Sequence, residues 1–148
     1  MPRLLIISTV VSSLNGFLLP YARYFKAQGW EVDAAAHGAA TDPLCTGTFN
    51  QTWHIDFSRT PGSLENLIAA PKQIRNIVGA GEYDIVHVHT PVAAFLSRYA
   101  LRKVRAQTGL IVIYTAHGFH FHPNGSRVKN LLYLTLEKTA GAWTDYLV

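Results

Sequence analysis

The stretch Leu110-Ile-Val-Ile-Tyr-Thr-Ala-His-Gly-Phe-His-Phe121 decides the fold of this 148-residue chain. Its first half is an unbroken run of apolar, β-branched and aromatic residues, which is typical of a strand buried on both faces of a parallel sheet. Its second half leaves the strand at His117 and Gly118, where glycine allows the backbone to turn sharply. Because ligands of open α/β sheets bind just beyond the carboxyl ends of the strands, His117 is predicted to lie at a functional edge.

A second stretch has the same design. Tyr83-Asp-Ile-Val-His-Val-His-Thr-Pro91 is an apolar strand that ends in histidine. Thr90 is predicted to cap the next helix, and Pro91 to occupy its first turn. The two stretches therefore predict two buried strands that each end in histidine.

Strand and helix patterns alternate along the rest of the chain. We expect a polar loop at 12–16 with Asn15 as a helix N-cap, a loop at 37–51, and a helix divided by Pro71. The expected strands are 4–9, 31–36, 53–57, 84–89, 110–115 and one beginning at 145, and the expected helices are 17–28, 64–78, one from 91, and one from 126 to about 142. This alternation predicts an α/β fold with a Rossmann-like, doubly wound, mostly parallel sheet.

Composition limits the function classes. Hydrophobic residues make up 49% of the chain and charged residues 15%, which argues against disorder. The net charge is +4 and the pI about 9.4, but the basic residues form no nucleic-acid motif, so an anionic substrate or an acidic membrane surface is the better expectation. The single cysteine, Cys45, excludes an internal disulfide and is compatible with a reducing cytoplasm.

His117 is the sharpest candidate for chemistry. An imidazole at a strand end can hydrogen-bond a sugar hydroxyl or a phosphate, or act as acid or base, although it can also merely satisfy loop carbonyls. His87 and His89 share one face of their strand, and His120 and His122 repeat that spacing. We expect His87 to be a packed core residue and His89, at the strand tip, to be functional.

A zinc site drawing on His89, His117 and His120 is conceivable. No cysteine pair and no His-Glu-x-x-His motif accompanies these histidines. The sequence therefore favours a metal-free site.

Several other polar residues can be interpreted either as ligand-binding or as merely structural. Asn15 and Gly16 follow the first strand, where they can meet substrate or simply begin a helix. Arg59 can bind phosphate or carboxylate, or be an ordinary exposed arginine. The arginines at 98, 102 and 105 are expected to form a solvated helix face, or less favourably to lie on anionic lipid.

The last helix is apolar nearly all round at 131–136, so we expect it to be buried or covered by a partner. Glu137, within it, is expected to pair with Lys138 or another neighbour rather than to catalyse. The chain closes on a strand that has barely begun, which predicts that it is one half of a larger protein.

The two histidine-ending stretches, residues 83–91 and 114–121, resemble the amino-terminal domain of family 4 retaining glycosyltransferases. More narrowly, they resemble the bacterial enzymes of capsule, exopolysaccharide and lipid-linked oligosaccharide assembly. The resemblance covers essentially the whole chain. It rests on 83–91 and 114–121, supported by 14–20, 59–61, 136–138 and 144–145.

The resemblance implies two Rossmann-like domains facing a cleft, the GT-B architecture, with this chain, 1–148, as the acceptor side and a missing carboxyl-terminal domain holding the nucleotide sugar. It implies that no metal ion or other cofactor is needed, and that His117 is the catalytic residue, reaching toward the donor sugar and its leaving phosphate. The expected substrate contacts are Asn15, Gly16, Arg59, His89, Gly118 and His120. The implied acceptors are glycans or polyprenyl-diphosphate sugars, at a cytoplasmic location on the inner face of the membrane.

Without a donor domain we expect the chain to bind donor poorly, to be inactive alone, and to self-associate through an exposed apolar face. Three alternatives stay open: a non-catalytic docking subunit of a split enzyme, a self-contained nucleotide-sugar enzyme of the epimerase type, and, more distantly, a zinc hydrolase.

Overall fold

Parallel strands form the centre of the protein. The structure is a computed structural model that describes residues 1–58, 60, 62–118 and 123–148. The strands of the described residues are β1 (Arg3–Val10), β2 (Glu31–His37), β3 (Thr52–His54), β4 (Ile85–His89), β5 (Ile111–Thr115) and β6 (Tyr146–Leu147). They form one sheet in the order β3-β2-β1-β4-β5-β6, and every pairing is parallel. This order confirms the predicted doubly wound, Rossmann-like sheet.

Helical segments connect the strands. They are α1 (residues 11–27, made of Val11–Ser13, the π-helical turn Leu14–Leu18 and Leu19–Ala27), α2 (Pro43–Thr48), α3 (the π-helical turn Glu65–Ala69 followed by Ala70–Gly81), α4 (Pro91–Thr108) and α5 (Arg127–Gly141). No helix among the described residues is both long and apolar enough to cross a membrane.

Two apolar cores lie on opposite faces of the sheet. One face of β1 and β2 packs on α1 and α2, where Ala34 and Ala36 of β2 share a core with Leu14, Leu18 and Ala22. The opposite face of β1, β4 and β5 packs on α3 and α4, with Ile74, Leu101 and others. The alternation of side chains along each strand sends neighbouring residues into different cores, which explains the near-continuous burial of β1.

The first helix begins earlier than predicted. Instead of a polar loop at 12–16, β1 passes directly into α1 at Val11, and Asn15 lies inside a π-helical turn rather than at an N-cap. The side chain of Asn15 donates to both carboxylate oxygens of Asp42 at 3.1 and 3.2 Å, so a polar residue typical of turns finds its partner at the start of α2. At Gly16 no atom of the described residues lies within 4 Å of the position of an added Cβ, so no close approach requires glycine there.

The loop predicted at 37–51 contains helical structure. Asp42 accepts a hydrogen bond from the backbone N–H of Cys45 at 2.9 Å, and Pro43 is the first residue of α2. Asp42 is therefore the N-cap of this helix, and Pro43 occupies its first position. The expected irregularity at Pro71 takes the form of the π-helical turn just before it.

The last helix is more exposed than its composition predicts. Only Ala140 of α5 is buried, while Val128, Leu131 and Leu132 face outward at 78, 67 and 56% exposure. Within the described residues, this apolar helix face is thus open rather than buried.

Candidate functional site

The candidate site lies at the carboxyl edge of the sheet, where its winding reverses. After β1 the chain moves toward β2, and after β4 it moves toward β5, so a crevice is expected between the ends of β1 and β4. Register places His89 beside Thr115, and His117 follows two residues later. The sequence-predicted strand ends therefore meet.

His89 and His117 are joined by a hydrogen bond between their rings. Nδ1 of His89 lies 3.0 Å from Nε2 of His117, and the ring centroids are 5.3 Å apart in a stacked arrangement. His89 is only 3% exposed, whereas His117 is exposed. On the α1 side, the ring of Phe17 lies 6.2 Å from that of His117. His117 is thus the accessible end of a histidine pair.

His87 continues this arrangement into the sheet. Its ring centroid lies 4.1 Å from that of His89, and its Nε2 lies 2.8 Å from Oγ1 of Thr115. Burial, followed by the charge of His117, lowers the pKa of His87 to about 4. Burial, followed by the charges of His87 and His117, lowers the pKa of His89 to about 3. Both imidazoles of β4 are therefore neutral at physiological pH.

Thr90 is a site residue whose role the sequence analysis missed. It was predicted as a helix cap, but its side chain caps no backbone N–H of α4, and its backbone has φ 63° and ψ 138°. Its Oγ1 accepts a hydrogen bond from the backbone N–H of Thr9 at 3.0 Å and lies 2.6 Å from Oγ1 of Thr9. A β-branched residue at positive φ is strained, and the hydroxyl pair between β1 and β4 holds it. The following proline disfavours helical backbone at Thr90, but an N-cap is non-helical as well, so the sequence did not separate the two roles.

Gly118 has the conformation that its position requires. Its φ is 144°, a value that side-chain-bearing residues rarely adopt, and no atom of the described residues lies within 4 Å of the position of an added Cβ. The backbone conformation, and not a close approach, therefore favours glycine at this position.

The structure places Asn15 away from the histidine pair. Besides Asp42, its side chain accepts a hydrogen bond from Sγ of the buried Cys45 at 3.3 Å. The pKa of Asp42 is lowered, first by the backbone N–H of Cys45, and burial raises the pKa of the Cys45 thiol to about 12. Asn15 thus fastens α1 to α2, while Gly16 beside it faces open space.

Two predicted site residues, Arg59 and His120, lie outside the described residues, as does His122. Within residues 1–58, 60, 62–118 and 123–148, no group of three or more histidine, cysteine, aspartate or glutamate side chains is arranged to hold a metal ion. The candidate site therefore consists of His117 with Gly118, the histidines behind them, and the hydroxyls of Thr9 and Thr90.

The arginine face of α4 is not solvated as expected. Arg98 is 2% exposed and bonds Oε2 of Glu137 at 3.0 Å, which gives Glu137 a partner other than Lys138. Arg102 lies over the ring of Tyr99, and Arg105 forms two hydrogen bonds to the carboxylate of Asp145. The three arginines are engaged within the protein, and an anionic membrane surface stays a prediction.

Comparison with known proteins gives the family of the chain. Residues 17–148 match Glycosyltransferase Family 4. The chain is 42% identical over 147 residues to the Bacillus subtilis (strain 168) protein named "Putative glycosyltransferase EpsD", an alignment that covers 99% of this chain and 37% of that protein. It is 27% identical over 94 residues to a Klebsiella pneumoniae protein named "Uncharacterized 41.2 kDa protein in cps region", covering 62% of this chain and 26% of that protein.

Solved structures agree at the level of the fold. MurG of Acinetobacter baumannii superimposes with a TM-score of 0.67 at 14% identity, covering 99% of this chain and 41% of that one. Sucrose-phosphate synthase of Thermosynechococcus elongatus gives 0.66 at 15% identity, covering 99% and 42%. The fold is that of the N-terminal half of a GT-B architecture. The chain spans well under half the length of the Bacillus and Klebsiella relatives.

Because the family pattern runs from residue 17 to residue 148 and a relative is 42% identical across 99% of the chain, this chain belongs to Glycosyltransferase Family 4.

Proposed function

We propose that this chain is the acceptor-side half of a retaining glycosyltransferase, which transfers a sugar from a nucleotide sugar to a glycan or lipid-linked acceptor in bacterial polysaccharide assembly. In this proposal His117 contacts the donor sugar or its leaving phosphate. The names of the Bacillus and Klebsiella relatives, one a glycosyltransferase and one from a cps region, support this assignment.

The observation that carries the proposal is the exposed ring of His117 at the carboxyl edge, supported from behind by buried His89. Gly118 follows with φ 144°, and no atom of the described residues lies within 4 Å of the position that a Cβ would take there. An imidazole held in this way is suited to hydrogen-bond a sugar hydroxyl or a phosphate oxygen.

The donor site requires a second domain in this proposal. β1 runs directly into α1 without a glycine-rich turn of the kind that cradles a diphosphate. Stabilising the charge of a departing nucleotide diphosphate needs hydrogen-bond donors on both sides of a closed, dry cleft. We therefore expect this chain to supply one wall of the cleft and a separate domain or subunit to supply the other.

Calorimetric titration tests this division of labour. The chain is titrated with UDP, GDP and their sugars up to millimolar ligand, and we expect no dissociation constant below about 1 mM, roughly −4 kcal/mol. A micromolar constant for any of these ligands overturns the division and favours a self-contained nucleotide-sugar enzyme.

Fusion to a donor domain tests the activity itself. The chain is joined to the carboxyl-terminal part of the 42% identical Bacillus relative, and nucleotide release is measured with a panel of nucleotide sugars and a membrane extract as the acceptor source. We expect release from the fusion and not from the isolated chain. His117→Ala is expected to reduce the rate about a hundredfold or more, as loss of a charge-stabilising donor typically does.

His54→Gln is the matched control, because His54 is an exposed histidine whose Nε2 lies 3.0 Å from the carboxylate of Asp56, not at the candidate site. Its rate is expected to equal that of the unsubstituted fusion. A fusion that is active and insensitive to His117→Ala contradicts the role proposed for His117. A fusion that binds donor but never transfers favours a docking subunit.

A further inference from the structure

We infer that His89 is a positioning residue that holds His117 in the tautomer with its proton on Nδ1, so that His117 meets its ligand as a hydrogen-bond donor and not as a base. The inference rests on the proposed function for the identity of that ligand, a sugar hydroxyl or phosphate oxygen. The geometry that carries it is the 3.0 Å contact between Nδ1 of His89 and Nε2 of His117, together with the state of the second nitrogen of His89.

A hydrogen bond between two neutral imidazoles needs one proton between the two nitrogens. Either Nδ1–H of His89 donates to a bare Nε2 of His117, or Nε2–H of His117 donates to a bare Nδ1 of His89. Because a neutral imidazole has one N–H and one unprotonated nitrogen, this choice also fixes the state of the second nitrogen of each ring. In the first arrangement His117 is protonated on Nδ1, and in the second His89 is protonated on Nε2.

The surroundings of His89 distinguish the two arrangements. Its Nε2 is buried and has no hydrogen-bond partner among the described residues. The second arrangement would place an N–H group at this buried position without an acceptor, whereas the first leaves only an unprotonated nitrogen there. Buried N–H groups without a partner are rarer in proteins than acceptors lacking a donor, so the first arrangement is favoured.

Packing keeps His89 in this orientation. The ring of His87 lies 4.1 Å from one side, and the ring of His117 stacks at 5.3 Å. His87 is in turn held by Oγ1 of Thr115 at 2.8 Å from its Nε2. A half-turn of the His89 ring would put Cδ2 in the place of Nδ1 and break the bond to His117, and it has to disturb both neighbours.

The consequence concerns chemistry at the edge of the sheet. With Nε2 of His117 occupied by His89, its remaining nitrogen is Nδ1, and that nitrogen carries the proton. A neutral ring in this state donates to an oxygen and has no free lone pair with which to remove a proton. Of the two roles that the sequence left open for His117, the structure assigns hydrogen-bond donation rather than base catalysis.

Long-range ¹H–¹⁵N correlation spectra of the ¹⁵N-labelled 148-residue chain read the tautomers directly. At about pH 8, where neutral imidazoles predominate, we expect both His89 and His117 to show protonated Nδ1 and unprotonated Nε2. A His117 protonated on Nε2, or averaging between the two forms, overturns the inference. The spectra require no ligand and no activity, so a wrong proposed function would leave this result unchanged.

Two substitutions of His89 separate positioning from simple packing. In His89→Asn the amide NH₂ takes the place of Nδ1–H, and we expect the tautomer of His117 to be retained. In His89→Leu the donor is lost while an apolar side chain fills the space, and we expect His117 to shift toward the Nε2–H form. His87→Phe, which keeps a ring against His89, is the matched control and is expected to leave His117 unchanged.

The results of these variants are decisive in either direction. The inference fails if the Leu variant keeps the Nδ1–H form of His117, or if the Asn variant loses it while its amide spectrum shows a folded protein. Should the Leu variant not fold, the unsubstituted chain and the Asn variant still decide the question.

Discussion

At the scale of single residues, the two histidines of β4 link the candidate site to the stability of the fold. Burial lowers the pKa of His89 from 6.5 to about 3 and that of His87 from 6.5 to about 4. In the unfolded chain both return toward their ordinary value. Each is therefore a group that the unfolded state protonates before the folded state does.

This difference predicts a loss of stability in mild acid. Between pH 6.5 and about 4 the unfolded chain binds more protons than the folded chain, so the free energy of unfolding falls as the pH falls, by at most about 1.4 kcal/mol per pH unit for each histidine. Urea unfolding measured at several pH values between 7.5 and 5 checks this slope. The carboxylates of lowered pKa, such as Asp42 and Asp145, lose their contribution only at lower pH and do not affect this window.

His89→Asn is the control, because it removes one titrating group while keeping a polar side chain. The free energy of unfolding of this variant is expected to depend less steeply on pH, by the contribution of up to one bound proton. A stability that is flat from pH 7.5 to pH 5 in the unsubstituted chain would contradict the neutral state of both histidines.

The sequence predicted where His117 and Gly118 lie but not that His117 is hydrogen-bonded to His89. The location of His117 and Gly118 at a strand end follows from the apolar run before them. The bond between His89 and His117 depends on β4 and β5 being neighbours in a register that pairs His89 with Thr115, and two separate strand patterns do not contain that register.

At the scale of elements, the contact between α4 and α5 shows how a charged helix face is buried. Arg98 stacks 4.2 Å from the centre of the Tyr114 ring, bonds the carbonyl of Ala94 at 3.0 Å, and pairs with Glu137. The helical spacing of 98, 102 and 105 was identified from the sequence, but a solvated face and a face covered by a later helix have the same spacing. Only the tertiary arrangement distinguishes them.

Removing one partner of the Arg98–Glu137 ion pair is predicted to destabilise the fold strongly, whereas replacing both partners with apolar residues is not. Glu137→Ala leaves the buried guanidinium of Arg98 without its carboxylate, and we expect a loss of about 3–5 kcal/mol in the free energy of unfolding. The double variant Arg98→Met with Glu137→Leu removes both charges and is expected to recover most of that loss. Urea unfolding of the three proteins makes the comparison.

Lys138→Ala is the matched control, since Lys138 is the exposed neighbour of Glu137 on the same helix, and its effect is expected to stay within about 0.5 kcal/mol. Equal losses in the single and double variants would mean that packing volume, and not the ion pair, sets the cost.

The same limit applies to helix starts. β-branched and aromatic runs identified the strands, because burial on both faces demands them. The start of α1 was misplaced and α2 was missed, since Asn15, Asp42 and Pro43 serve equally well in loops and in helices, and the partner that holds Asn15 lies in another element.

At the scale of the whole molecule, the apolar surface is unevenly covered. α3 and α4 shield one face of the sheet, and α1 and α2 shield part of the other. Outward-facing apolar side chains collect on three helices of the described residues: Val128, Leu131 and Leu132 on α5, Phe17, Tyr21 and Tyr24 on α1, and Leu67 and Ile68 on α3. Composition predicted an apolar surface, but which helix carries it depends on how the helices pack.

We expect this surface to make the isolated chain self-associate, mainly through α5. Val128, Leu131 and Leu132 lie at i, i+3 and i+4 and so form one continuous apolar stripe, which loses contact with water when two copies meet. Sedimentation velocity over a range of concentrations should show a rising average mass. Leu131→Lys with Val128→Lys is expected to keep the chain monomeric, because charges in the stripe must be desolvated on association. Leu44→Lys changes an equally exposed residue of α2 and is expected to have no effect. Equal association of all three proteins would place the contact elsewhere, with the aromatic stripe of α1 as the next surface to substitute.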